Sequence, residues 1–162
     1  MNTELNEHRT AHALLRFGFI LFLLGLLTGF LVPALANPRM ALASHLEGVL
    51  NGIFLVALGL VWPRLQLGIG FRRLAAALAV YGTFANWAAT FLAAFWGAGR
   101  SMPLAANGHE GFPWQEMVVN FLLYSLSFAM VILTSVVVWG LRGRRLPLNA
   151  ESEQPLYHLE QV

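Results

Sequence analysis

The chain has 162 residues, 57% of them hydrophobic and only 11% charged, a balance that fits one membrane domain better than a water-soluble globule. All ten basic residues are arginine and they are scattered, so no nucleic-acid footprint is present. The lack of cysteine excludes disulfides, thiolate catalysis, iron–sulfur clusters and covalent c-type haem attachment, and leaves histidine as the strong nitrogen donor.

Four apolar runs are long enough to cross a bilayer, which takes about 20 residues as helix. In chain order they cover about 17–36, 40–62, 74–97 and 117–141. Pro33, Pro38, Pro63, Pro103 and Pro113 fall near their ends and punctuate them. This predicts an all-α membrane protein, a four-transmembrane-helix bundle over 1–145. The residues 146–162 form a polar tail with two prolines.

Arginine sets the expected orientation. Arg9 and Arg16 precede the first run, Arg64, Arg72 and Arg73 separate the second from the third, and Arg142, Arg144 and Arg145 follow the fourth. Only Arg39 and Arg100 stand on the other side. The bias puts both termini and the loop between the second and third runs in the cytoplasm, with the first and third connections facing outward. Around the first run, Arg16, the apolar stretch and Ala34-Leu35-Ala36 also resemble a signal peptide cleaved before Asn37. The near-full span length and the acidic Glu4 and Glu7 favour a retained helix.

The second run opens with Ala43-Ser44-His45-Leu46-Glu47-Gly48-Val49-Leu50-Asn51-Gly52. Ser44 and Glu47 have capping-box spacing, which would put His45 in a first helical turn at the wet interface. Helical geometry offers a second reading. At 100° per residue, His45, Gly48, Gly52 and Gly59 fall in one stripe. A histidine above a glycine groove leaves room for something flat, such as a haem, whose commonest axial ligand is histidine. Glycines that merely let two helices approach closely would give the same pattern. Glu47 and Asn51 share another side of the helix. Asn86, near the middle of the third run, needs a polar partner, and Asn51 is at comparable depth. Tyr81 and Thr90 on the third run and Asn120, Tyr124, Ser125 and Ser127 on the fourth are also polar at membrane depth. His8, His12, His109 and His158 lie outside the spans, so a two-histidine haem would need His109 or a neighbouring subunit. Glu47 is the one ionisable residue expected inside the spans, near an outer end.

The stretch PALANPRMALASHLEGVLNGIFLVALGLVWP, followed by YGTFANWAATFLAAFWGAG, resembles the hydroxylaminobenzene mutases. These small bacterial membrane proteins convert hydroxylaminobenzene to 2-aminophenol in nitroarene breakdown. The resemblance covers residues 13–141, and its H-x-E-G-x-x-N-G core is its most specific part. The chain is more distantly similar to styrene oxide isomerase, a family with four membrane helices, a trimeric assembly and haem b. That family's axial histidine stands six residues before an asparagine, as His45 stands before Asn51, and its third-helix W-A-N asparagine matches Asn86. A family tyrosine one turn further on corresponds to Thr90, a departure that puts the substrate contacts in doubt.

The resemblance implies haem b on the iron ligand His45, with Gly48 and Gly52 beside it. Asn51, Asn86 and Glu47 become the catalytic polar residues, and Tyr81, Thr90 and Tyr124 line the substrate, with Phe84 and Trp87 near its ring. It implies an integral protein of the bacterial inner membrane, in contact with lipid, taking a small aromatic substrate and forming a homo-oligomer such as a trimer. The expected activity is an isomerase that moves oxygen within an arylhydroxylamine. An epoxide isomerase, a membrane haem electron carrier and a cofactor-free transporter or assembly subunit are the alternatives.

Overall fold

The structure, a computed structural model, describes residues 2–142, with side chains from residue 8 onward. The expected polar tail, Arg144, Arg145 and His158 lie outside the described residues. Helix α1 spans Asn2–Leu31, α2 Pro38–Val61, α3 Ile69–Trp96, the single turn α4 Pro103–Ala106, and α5 Pro113–Gly140. Four of them are long and apolar enough to cross a membrane: His8–Ala34, Pro38–Arg64, Ile69–Trp96 and Pro113–Gly140. Helices satisfy their own backbone polar groups, as hydrocarbon demands.

The spans begin earlier than the apolar runs suggest, because polar residues continue the helices past the hydrocarbon edge. Helix α1 takes in the leader before Phe17, α3 takes in Arg72 and Arg73, and α5 takes in Gln115 and Glu116. The capping-box reading of Ser44 and Glu47 is not what the structure shows. The cap of α2 is Asn37, whose Oδ1 accepts from Met40 N at 3.0 Å, with Pro38 in the first helical position, where its missing N–H is not needed. Asn37 is fully buried. Its backbone N–H donates to Ala94 O at 3.0 Å and its amide to Ala106 O at 2.9 Å, so it ties three segments together. Gly97, at φ 68°, ends α3 in the left-handed conformation that glycine adopts without strain.

Between lipid-soluble helices no hydrophobic force operates, so close packing has to supply cohesion. Helices α1 and α2 pack glycine on glycine. A Cβ on Gly48 would lie 2.5 Å from Gly25 Cα, and one on Gly52 2.6 Å from Phe22 N. Only hydrogen fits at either place. Helix α3 lies against this pair with buried Ala75, Ala79, Ala89 and Ala93. Leu14, Leu21, Leu55 and Trp62 fill one half of the interior, and Met40, Ala41, Ala94 and Ala106 the other. Helix α5 packs along α3, where Gly82 meets Met130, and its backbone stays clear of α1 and α2. The expected four-helix bundle is therefore an open one: three mutually packed helices with the fourth laid outside α3. The hydrogen bond from Gln66 N to Gly140 O, 2.9 Å, sets the end of α5 beside the α2–α3 connection. The helices alternate in direction, so both ends of the described chain lie on one face.

Candidate functional site

Glu47 is the tenth residue of α2, and His45 the eighth. At 1.5 Å per residue they stand roughly 13 and 10 Å along the helix. Neither is in the first turn, and Glu47 is close to mid-span rather than near an outer end. Asn86 lies in the second half of α3, which runs in the opposite sense, so it reaches the same depth.

Three of the singled-out residues meet there. Asn86 Nδ2 donates to Glu47 Oε2 at 2.6 Å. Asn51 Nδ2 donates to the same oxygen at 3.0 Å and to Glu47 O at 2.9 Å. The expected direct partner of Asn86 was Asn51; instead the two amides converge on one carboxylate oxygen. A carboxyl oxygen has the lone pairs to accept from both amides at once. Glu47 Oε1 makes no hydrogen bond among the described residues. Asn51 is buried, and Glu47 and Asn86 are half-buried.

His45 leaves α2 on another side. Its Nδ1 stands 2.8 Å from Gly25 O on α1, so that nitrogen carries the proton and Nε2 keeps its lone pair, the arrangement that orients a metal-ligating imidazole. The ring lies over α1 where Gly29 leaves room: a Cβ there would come 2.9 Å from His45 Nδ1. The glycines below it do not form an open groove. Gly48 and Gly52 are buried against α1 backbone, which fills the stripe expected to seat a flat group. They serve helix approach. His45 and Glu47 differ by 200° around α2 and flank its exposed face, on which Leu42, Leu46 and Leu50 are about half or more exposed.

The remaining expected residues are spread more widely. Tyr81 OH is 2.6 Å from Ser125 Oγ at the α3–α5 seam, away from the carboxylate. Tyr124 is 66% exposed on α5, and no hydrogen bond joins either tyrosine to Glu47. Thr90 Oγ1 donates to the carbonyls of Asn86 and Trp87, both at 3.0 Å, within its own helix. Trp87 stands at the junction of three helices, its Nε1 donating to Thr28 Oγ1 at 3.1 Å and its carbonyl accepting from Ser44 Oγ at 3.3 Å. Phe84 packs edge-on to Phe17. His109 stays in the α3–α5 connection, with Nδ1 2.9 Å from Ala106 O. No group of three metal-binding side chains forms among the described residues.

A second carboxylate went unnoticed in the sequence. Glu116, 5% exposed in the first turn of α5, accepts backbone N–H groups from Gly99 at 2.9 Å, Arg100 at 3.0 Å and Gly111 at 2.9 Å. It clamps both ends of the α3–α5 connection. Just outside the membrane, the hydrogen bond from Arg100 to Glu110, 2.9 Å, raises the pKa of the exposed guanidinium.

A model of the styrene oxide isomerase family matches residues 10–142. The chain belongs to that family. It is 54% identical to hydroxylaminobenzene mutase HabB of Ectopseudomonas oleovorans over 153 residues, 94% of this chain and 93% of the relative. It is 47% identical to hydroxylaminobenzene mutase HabA of the same organism over 125 residues, 76% of this chain and 93% of that one. No solved structure matches the chain. The membership and these relatives make it an enzyme of the isomerase and mutase class, built on membrane-spanning helices. Both asparagines and the histidine on which the resemblance rests lie within the matched region.

Proposed function

We propose that this enzyme converts hydroxylaminobenzene-type arylhydroxylamines to 2-aminophenols by moving oxygen within the substrate. The observation that carries the reading is the carboxylate of Glu47, held at mid-span by Asn51 and Asn86, in a chain so similar to two hydroxylaminobenzene mutases. A polar triad at this depth is expensive in hydrocarbon and marks a functional site. The amide oxygens of Asn51 and Asn86 accept the N–H and O–H of the substrate and fix its polar end. The surrounding apolar helices exclude water, which would otherwise capture the ring cation formed when the N–O bond breaks.

The cofactor in this proposal is haem b. His45 fits it: the Gly25 carbonyl fixes the tautomer that presents Nε2. Gly48 and Gly52 do not, because α1 covers them, so His45 is the residue that would hold the iron. Bound ferric haem supplies a Lewis acid for an oxygen that gathers negative charge. Such a group would lie towards the exposed side of α2, where a second copy of the chain would enclose it. We therefore read the enzyme as a homo-oligomer, a trimer by family resemblance, in the bacterial inner membrane with both termini cytoplasmic.

The family match itself favours a second reading, an epoxide isomerase. Thr90 argues against it, standing where styrene oxide isomerase resembles this chain but carries tyrosine, and its hydroxyl is turned to its own helix. The assay that decides uses detergent-purified protein with no reductant added. Stoichiometric 2-aminophenol from hydroxylaminobenzene is the expected result. Turnover of styrene oxide to an aldehyde, with hydroxylaminobenzene untouched, would replace the first reading by the second.

A further inference from the structure

We infer that Glu47 is the proton carrier of the rearrangement, taking a proton from the ortho carbon of the ring and returning one to the nitrogen. This rests on the arylhydroxylamine reading above.

Substrate and product have the same atoms, so the chemistry can be balanced bond by bond. The N–O bond breaks and its electron pair leaves with oxygen. A C–O bond forms at the ortho carbon, which becomes tetrahedral while still holding its hydrogen, and the nitrogen is left as an imine. That hydrogen then leaves as a proton, its C–H pair restores the aromatic ring, and the imine nitrogen accepts a proton to become the amine. Nitrogen gains the two electrons that the ortho carbon gives up, so no oxidant or reductant enters. The scheme needs a base at the ortho carbon and an acid at the nitrogen attached next to it. In a span from which water is excluded, one carboxylate that accepts the first proton and then delivers it meets both needs and ends unchanged.

Glu47 has the required geometry. Its Oε2 is fixed by two amide donors, while Oε1 makes no hydrogen bond among the described residues and is left to meet a substrate. No arginine or histidine is bonded to it there, so an ion pair does not account for its presence. The competing groups stand elsewhere. His45 gives its Nδ1 to Gly25 O and leaves α2 about 200° away from Glu47, with its Nε2 assigned to the iron in the proposed function; Tyr81 is bonded to Ser125 at another seam, and both oxygens of Glu116 are taken by backbone amides at the α3–α5 connection. Glu47 is thus the base that can stand beside the ring, and Asn51 and Asn86 position its carboxylate as well as the substrate.

The test compares wild type, Glu47→Gln, Glu47→Asp and Glu47→Ala, purified in detergent and matched for monodispersity, on hydroxylaminobenzene and on its 2,6-dideuterated form. Glu47→Gln, which keeps an acceptor for both amides, is expected to lower kcat by about 10²–10⁴-fold, the usual worth of a general base, with KM little changed. Its deuterium isotope effect on kcat should exceed that of wild type, because proton removal becomes the slow step. Glu47→Asp should recover part of the rate, and added formate should restore turnover to Glu47→Ala. Wild-type kcat in Glu47→Gln would overturn the assignment. So would a fall in kcat with an unchanged isotope effect and no rescue by formate, the signature of a packing role. Wild type that makes no 2-aminophenol at all would instead overturn the arylhydroxylamine reading on which the assignment stands.

Discussion

Single residues in this molecule are placed by what lipid does not supply. An amide or carboxylate at mid-span has no water to bond, so Asn51, Asn86 and Glu47 satisfy one another. His45 does the same through Gly25 O, and the proton this fixes on Nδ1 is what leaves Nε2 available. Replacing His45 by alanine is expected to abolish the Soret band of the purified protein while leaving its yield in the membrane near that of wild type, since one hydrogen bond to a backbone carbonyl contributes only about 1 kcal/mol. Absorption spectra of the two proteins at equal concentration check this; a colourless but active wild type would remove haem from the account. The importance of these residues was legible in the sequence, because polar side chains in a 20-residue apolar run stand out. Their pairing was not, because it depends on the rotation of α2 against α3, which spacing along one helix does not encode. Glu116 escaped for the opposite reason: at the polar edge of a run it looks like ordinary flanking charge.

At the level of elements, the order and number of spans followed from hydropathy, and the ends did not. Asn37-Pro38 outcompetes Ser44 as the start of α2, because the cap that also bonds Ala94 and Ala106 satisfies three segments at once. The glycine stripe was visible as a stripe, and its two readings were equivalent until the partner helix was known. The seam between α1 and α2 makes the packing reading testable. Gly48→Ala places a methyl 2.5 Å from Gly25 Cα and should destabilise by about 1–3 kcal/mol, as overpacking does. Gly70→Ala, in α3 with nothing within 4 Å of its Cβ, should be neutral or stabilise by about 0.5–1 kcal/mol, the helix penalty of glycine. Thermal unfolding in detergent separates the two, and equal Tm values would contradict the close approach. The same seam gives α2 its packing face on α1 and so predicts a retained first span; an N-terminus of the purified protein beginning at Asn37 would contradict it.

Among the described residues the arrangement is open: of the other spans, the backbone of α5 approaches α3 and stays clear of α1 and α2, with exposed Phe121, Tyr124 and Phe128 along it. Composition pointed to a bundle but not to its openness, since apolar side chains facing lipid and apolar side chains facing a helix read alike. The arginine bias predicts the orientation: reporter fusions after Arg73 should read cytoplasmic and fusions near Asn107 external, and the reverse pattern would invert the topology. The enclosed chemistry predicts where the product oxygen comes from. The most direct measurement is mass spectrometry of the aminophenol made from ¹⁸O-labelled hydroxylaminobenzene in unlabelled water, without reductant. The account requires mainly 2-aminophenol that keeps the label, because oxygen never leaves the dry site. Unlabelled product, with 4-aminophenol beside it, would mean that the ring cation meets bulk water, and would contradict intramolecular oxygen transfer.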